Sequence, residues 1–169
     1  MKKLNADYGY TLDGGPLGSI ENESFSADAV SITIHGIATH PGYAKGKMVN
    51  AIKVASEFVT ALPKDEWSPE TTEKREGFVH PTSITGELER ATVSFIVRDH
   101  DTQKMKAHEE RLRTILLETL AHYPDLEYKF EIVEQYRNMR EVLDTVPFVT
   151  NYAIQAMEKV GLPVKLDLI

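Results

Sequence analysis

From Ala29 to His35 apolar and polar residues alternate: Val30, Ile32 and Ile34 on one side, Ser31, Thr33 and His35 on the other. A period of two, rich in β-branched residues, predicts a half-buried strand. A loop with Gly36, Pro41, Gly42 and Gly46 follows. Met48, Ile52, Ala55, Val59 and Leu62 then step by four and three, predicting a helix over 46–62 that Pro63 stops. Residues 64–76 are polar around the lone Trp67 and read as a surface excursion. Residues 77–85 and 89–98 predict paired strands, with Gly86-Glu87 as a two-residue turn in which glycine supplies a positive φ. Ala91, Val93, Phe95 and Val97 share one face of the second strand. Asp101 or Thr102 caps a helix with Met105, Leu112, Leu116 and Leu120 in one stripe. His108, Glu109 and Glu110 beside that stripe read as a solvated face. Residues 126–134 alternate through Tyr128, Phe130 and Ile132. A last helix starts near Pro147, after the capping candidates Asp144 and Thr145, and ends at Gly161 and Pro163.

Between residues 29 and 134 the order is strand, helix, strand, strand, helix, strand. That order predicts an α+β fold of ferredoxin-like βαββαβ topology, a four-stranded antiparallel sheet with two helices on one face. Many unrelated functions use this arrangement. The ends fit it poorly: 8–12 and 164–169 read as short strands without partners inside the sheet, and the chain closes on the apolar pair Leu168-Ile169. These flanks look cut from something larger.

Composition narrows the function classes. The 169 residues include 19 Lys+Arg, 26 Asp+Glu, six His and no Cys, for a net charge of −7. The missing Cys excludes disulfides, cysteine nucleophiles and thiolate metal sites. An acidic balance without a basic run argues against nucleic acid. No run is long and apolar enough to span a bilayer. Met1-Lys2-Lys3-Leu4 opens with a basic pair but no apolar core follows, so no signal peptide is expected and the cytoplasm is the expected location. Phosphate-loop, dinucleotide, His-Glu-x-x-His and Gly-x-Ser-x-Gly motifs are all absent from the sequence.

Three residues stand out chemically. Asp13, before Gly14-Gly15, is a carboxylate at a strand end where glycines allow close approach, or else simply the first residue of an Asp-Gly turn. His40, held between Thr39 and Pro41-Gly42, can donate to a developing oxyanion, or is an exposed loop histidine without a task. Arg98 ends a strand on its polar side, where a guanidinium can grip a carboxylate with two parallel hydrogen bonds; the other reading is an ion pair with Asp99 or Asp101. His35 and His80 read as structural.

Four blocks carry a family resemblance: Ala6-Asp7-Tyr8-Gly9-Tyr10-Thr11-Leu12-Asp13-Gly14-Gly15; His40-Pro41-Gly42 with Ala44-Lys45-Gly46 and Met48-Val49-Asn50-Ala51; Ile96-Val97-Arg98-Asp99; and Tyr136 with Asn138-Met139-Arg140-Glu141. In this order and spacing the chain resembles the aminotripeptidase (peptidase T) group of the dinuclear-zinc peptidases, a large family that includes aminoacylases and glutamate carboxypeptidases. The resemblance covers essentially all residues. It implies a zinc catalytic domain interrupted by an inserted ferredoxin-like lid that commonly mediates dimerisation. Residues 26–137 would be the lid, with 1–25 and 138–169 pieces of the catalytic domain.

The resemblance also implies roles: Asp13 as a zinc ligand, His40 as a catalytic group reaching the substrate from the lid, and Arg98 as the residue that binds the substrate carboxylate. Asn138, at the re-entry point, is a substrate-side candidate or a polar hinge. Two zinc ions serve the complete enzyme, a tripeptide losing its N-terminal residue is the implied substrate, and a homodimer is the implied assembly. Which subunit's His40 and Arg98 serve one site varies across the family. The other zinc ligands and the general-base Glu of the family have no match here. The segment alone is therefore expected neither to hold zinc tightly nor to hydrolyse peptides. The competing reading is a free-standing ferredoxin-like module that dimerises or binds a small ligand without catalysis.

Overall fold

The computed structural model describes residues 5–168, so the readings of Met1–Leu4 and of Ile169 lie outside the described residues. The chain folds as two compact units, one of residues 25–137 and one of residues 5–24 with 138–168.

The 25–137 unit contains β2 (Ser26–His35), α1 (Ala51–Ala61), β3 (Phe78–Gly86), β4 (Arg90–Asp99), α2 (Thr102–Leu120) and β5 (Tyr128–Tyr136); β1 (Ser19–Glu23) belongs to the other unit. The strands form one sheet in the order β3-β4-β2-β5, each pair antiparallel. This is the predicted α+β, ferredoxin-like sheet. Pleating sends alternate side chains to one face, so Val30, Ile32 and Ile34 join Ala91, Val93, Phe95 and Val97 there, all nearly inaccessible to water. Both helices close over that face in a single core, with Phe58 of α1 set edge-on to Phe95 of β4 at 5.9 Å.

Several details differ from the sequence pattern. The first helix starts at Ala51, where the Asn50 side chain accepts the Ile52 amide at 2.9 Å. Its buried face is Ala51, Val54, Ala55 and Phe58, whereas Ile52 is 42% exposed. The predicted stripe is displaced because it starts from Met48, which lies before the helix. Gly86 lies within β3 and has no positive φ; the turn falls after it, where the Glu87 amide donates to the Arg90 carbonyl at 2.7 Å. What Gly86 supplies is room, since a Cβ there would lie 3.1 Å from the Ala91 Cβ and the Ile52 Cγ1. The 64–76 excursion is pinned by Trp67, which is buried at 6% exposure rather than superficial. In β5 only Phe130 is half-buried, because this edge strand is poorly covered.

The other unit pairs β1 (Ser19–Glu23) in parallel with β6 (Lys165–Leu168) and adds two helices, α3 (Arg140–Leu143) and α4 (Phe148–Lys159). The C-terminal strand therefore has a partner, and it is β1. Residues 8–12 are not a strand, but irregular chain held by a Tyr10 hydroxyl donating to the Val149 carbonyl at 2.6 Å and by edge-on contact of Tyr8 with Phe148. Helix α4 follows Pro147 with no side-chain cap, and the Thr145 hydroxyl instead donates to the Val142 carbonyl.

Gly36 fixes where β2 ends. Its amide donates to the Glu89 carbonyl at 2.8 Å, and a Cβ would fall 2.3 Å from the Leu88 oxygen, 2.7 Å from the Val49 oxygen and 2.9 Å from the Ala51 nitrogen. All three are backbone atoms that hold the hairpin turn and the start of α1, so none can swing aside. Gly36→Ala is expected to cost about 2 kcal/mol, as overpacking does, and to lower the melting temperature by about 5 °C or more in thermal denaturation.

Candidate functional site

At the end of β4 the pleat separates two neighbouring charges. Asp99 continues the helix-facing row of Val93, Phe95 and Val97, and Arg98 faces the other way. Asp99 Oδ2 meets His108 Nε2 at 2.9 Å, and its Oδ1 accepts the Asp101 amide at 2.8 Å. Asp101 caps α2, its Oδ1 accepting the amides of Gln103 and Lys104 at 2.7 and 3.2 Å. Both carboxylates that could have neutralised Arg98 are thus engaged elsewhere. Arg98 has no hydrogen bond or ion pair among the described residues, and its Nε is buried without a partner. An unpaired guanidinium on a sheet face can receive a carboxylate bidentately.

His40 lies in the exposed loop after β2. Its Nδ1 accepts the Gly42 amide at 3.1 Å, and its ring lies 5.7 Å from Tyr43. With Nδ1 accepting, a neutral ring carries its proton on Nε2, which remains as a donor. His40 and Arg98 are not brought together within one chain. Ala27 faces Arg98 across the ladder and His35 faces Arg90, so these two positions of β2 are about 26 Å apart at 3.3 Å per residue, and His40 follows in the loop after the His35 end.

In the other unit, Asp13 is exposed and its Oδ1 accepts the Gly14 amide at 2.7 Å, a local turn bond rather than a strand terminus. Asn138 is buried. Its Oδ1 accepts the amides of Ser24 at 3.1 Å and Arg140 at 2.9 Å, while the Ser24 hydroxyl accepts the Met139 amide at 3.1 Å. Arg140 pairs with Glu23 at 3.0 Å. Asn138 thereby ties two backbone segments together. Among the described residues no group of three or more His, Asp or Glu side chains could hold a metal ion, and no helix is long and apolar enough to cross a membrane.

Two polar clusters overturn the reading of His108 and Glu109 as a solvated face, whereas Glu110 is exposed as expected. His108 accepts the Trp67 Nε1–H at 2.7 Å on Nδ1 and uses Nε2 for Asp99, so Trp67, His108 and Asp99 form one hydrogen-bonded chain. Gly77 backs onto it: a Cβ there would lie 2.1 Å from Asp99 Oδ2. An open cavity of about 330 Å³ lies beside the chain, bordered by Glu66, Arg75, Lys104 and Arg111, on the helix side of the sheet and away from Arg98.

Glu109 is only 7% exposed and shares the α2 stripe with Met105 and Leu112. It faces Asp28, which extends the core row of β2 and is gripped by Arg137 at 2.7 and 3.3 Å. Burial, and then the hydrogen bond to and charge of Asp28, push the Glu109 carboxyl up to about 7, against the opposing pull of Arg137. The spacing Met105, Glu109, Leu112, Leu116 (four, three, four) is the signal in the sequence for its burial.

The 25–137 sheet and the chain around it match known proteins. Residues 22–124 match the model of the family described as Peptidase dimerisation domain. The chain belongs to the peptidase dimerisation domain family. Along nearly its whole length this dimerisation-domain chain is also similar to Peptidase T sequences. It is 42% identical over 167 residues to that of Bacillus subtilis strain 168 and 39% identical over 167 residues to that of an Exiguobacterium species, in each case 99% of the chain and 40% of the relative. The chain thus spans about 40% of the length of these curated relatives. Among solved structures, the aminopeptidase PepT of Bacillus cereus ATCC 10987 superimposes with a TM-score of 0.73 at 20% identity, covering 99% of this chain and 44% of that one. A tripeptidase of Staphylococcus aureus gives 0.64 at 17% identity, over 81% of this chain and 36% of that one. These likenesses confirm the fold of the dimerisation domain.

The Glu109 pair makes stability depend on pH. Its folded pKa, raised above the ordinary 4.5, means that its contribution is fully present below about pH 4.5 and is lost as pH rises through about 7. Denaturant unfolding of the Glu109→Gln variant at several pH values should show a flatter profile than the parent. At pH 8 the variant should be more stable by up to about 3 kcal/mol, since each pKa unit is worth about 1.4 kcal/mol.

Proposed function

We propose that the chain is the lid and dimerisation portion of a zinc-dependent aminotripeptidase, an enzyme that removes the N-terminal residue from tripeptides. Residues 26–137 would form the lid, and 1–25 with 138–169 would belong to the catalytic domain. The observation that carries this reading is the similarity to Peptidase T over nearly every residue of the chain. Arg98 would bind the substrate's free carboxylate, which its unpaired guanidinium supports. His40 would offer its Nε2 donor to the oxyanion at the scissile carbonyl. Asn138 would contribute from the substrate side as well as tying segments. Asp13 would supply one zinc donor; the described residues do not fit a zinc site by themselves, so zinc binding and hydrolysis would need further ligands outside this segment.

A tripeptide spans about 10 Å, far less than the length of β2 that separates Arg98 from His40 in one chain. Both can therefore serve the same substrate only if one of them comes from a second subunit, which fits a dimerisation domain. The free edge of β5 supports such a homodimer. At the opposite edge β3 carries Pro81 and a register break between Pro81 and Ser83, features that blunt an edge. β5 has neither proline nor glycine, and presents Ile132 and Val133 to the surface, the latter 61% exposed.

Two measurements test the proposal. In sedimentation velocity at about 10 μM the chain should run as a dimer, and Val133→Lys should shift it to monomer by placing charge at the joined edge. In steady-state kinetics of the full-length peptidase carrying this segment, Arg98→Ala should raise KM for tripeptides about tenfold to a hundredfold, with little effect on their C-terminal amides. An unchanged KM would remove Arg98 from the substrate site.

A further inference from the structure

The face of the sheet away from the helices carries a second polar side chain beside Arg98. Across the β3–β4 ladder Phe78 stands opposite Arg98, and His80 opposite Ile96. Val79 and Val97 lie in the core under the helices, so Phe78, His80, Ile96 and Arg98 share the other face. His80 is thus the diagonal neighbour of Arg98, with Cβ atoms about 7 Å apart, a separation that long side chains bridge readily. Each carries a buried nitrogen without a hydrogen-bond partner, Nδ1 of His80 and Nε of Arg98. Buried polar atoms are nearly always paired, so two orphans side by side mark a place that expects a partner.

The local charge specifies that partner. Asp99 and Asp101 are turned away and bonded elsewhere. The carboxylate that senses His80 is Glu70, an exposed group whose acidity is strengthened chiefly by its own backbone amide and the Ser68 hydroxyl, with the charge of His80 a lesser cause. An arginine and a histidine beside it, with no buried carboxylate between them, favour an anion with two acceptor oxygens. A half-turn of the imidazole about its χ2 exchanges Nδ1 with Cδ2, so the ring can present its donor without any movement of β3.

We infer that His80 is a second binding residue for the substrate carboxylate, acting with Arg98 across the β3–β4 ladder; this rests on the reading of Arg98 as the carboxylate site. Arg98 would take one or both oxygens with its guanidinium, and His80 would donate to the oxygen nearer β3. Together they would select peptides with a free C-terminus.

The test titrates the nitrogen-labelled chain with trialanine and with trialaninamide, following the His80 ring nitrogens and the Arg98 Nε–H by NMR. The free acid should shift both residues and the amide neither. His80→Gln, with its backbone spectrum confirming the fold, should bind the free acid about tenfold more weakly, the loss expected for one hydrogen bond to a charged group. A response at Arg98 alone, or His80→Gln binding like the parent, would overturn the role of His80 and leave that of Arg98 standing. Silence at Arg98 would remove the carboxylate reading itself, and the role of His80 with it.

Discussion

A strand sends successive side chains to opposite faces, and at the end of β4 this simple constraint separates the chemistry of the chain into two compartments. Asp99 goes under the helices, where it is satisfied by His108 and by the amide that leads into the α2 cap. Arg98 goes to the other face without a counter-ion. Had the two stayed on one side they would have paired, and the arginine would have been a structural residue. The hydrogen bonds that engage the buried aspartate leave the guanidinium unpaired, so the helix side and the charge on the sheet's second face are linked through one pair of residues.

The length of the sheet also governs what the proposed shared site would need. Ala27 and His35, near the two ends of the central strand β2, lie about 26 Å apart, more than a tripeptide spans. Were Arg98 and His40 to act on one substrate as proposed, a second copy joined along the under-covered β5 edge would have to bring them together. The core of the module is aliphatic and aromatic, whereas its polar interior sets Glu109 beside Asp28, which the Arg137 guanidinium clamps with two hydrogen bonds.

Much of this is legible in the sequence, because period-two and period-four patterns report burial directly. β2, β4 and the apolar stripe of α2 follow from them, and so does the βαββαβ order. The register of α1 does not, because Met48 lies in a turn before the Asn50 cap, and a hydrophobic residue outside a helix counts the same as one inside it. The burial of Trp67 escapes the pattern because a single aromatic in a polar stretch has no period. Residues 8–12 mislead because β-forming residues do not make a strand unless an edge is there to receive them; β1 takes that place beside β6. Among the site residues, Arg98 is legible as an isolated cation at a strand end. The burial of Glu109 and the partnership of His80 with Arg98 depend on contacts between elements, and a sequence shows those only indirectly.

The tie made by Asn138 bears on how the molecule assembles in time. Its carboxamide joins Ser24 to a segment 114 positions away in sequence, and closing so long a flexible loop costs about 4 kcal/mol of chain entropy. Within residues 25–137, Ala27 pairs with Tyr136, so the two ends of that segment lie side by side. Once that inner unit has folded, the ends of the outer one are delivered side by side, and the long loop becomes in effect a short one. Pairing of Ala27 with Tyr136 thus makes closure of β1 on β6, and of the Asn138 bonds, cheaper in chain entropy than it would be for a free loop.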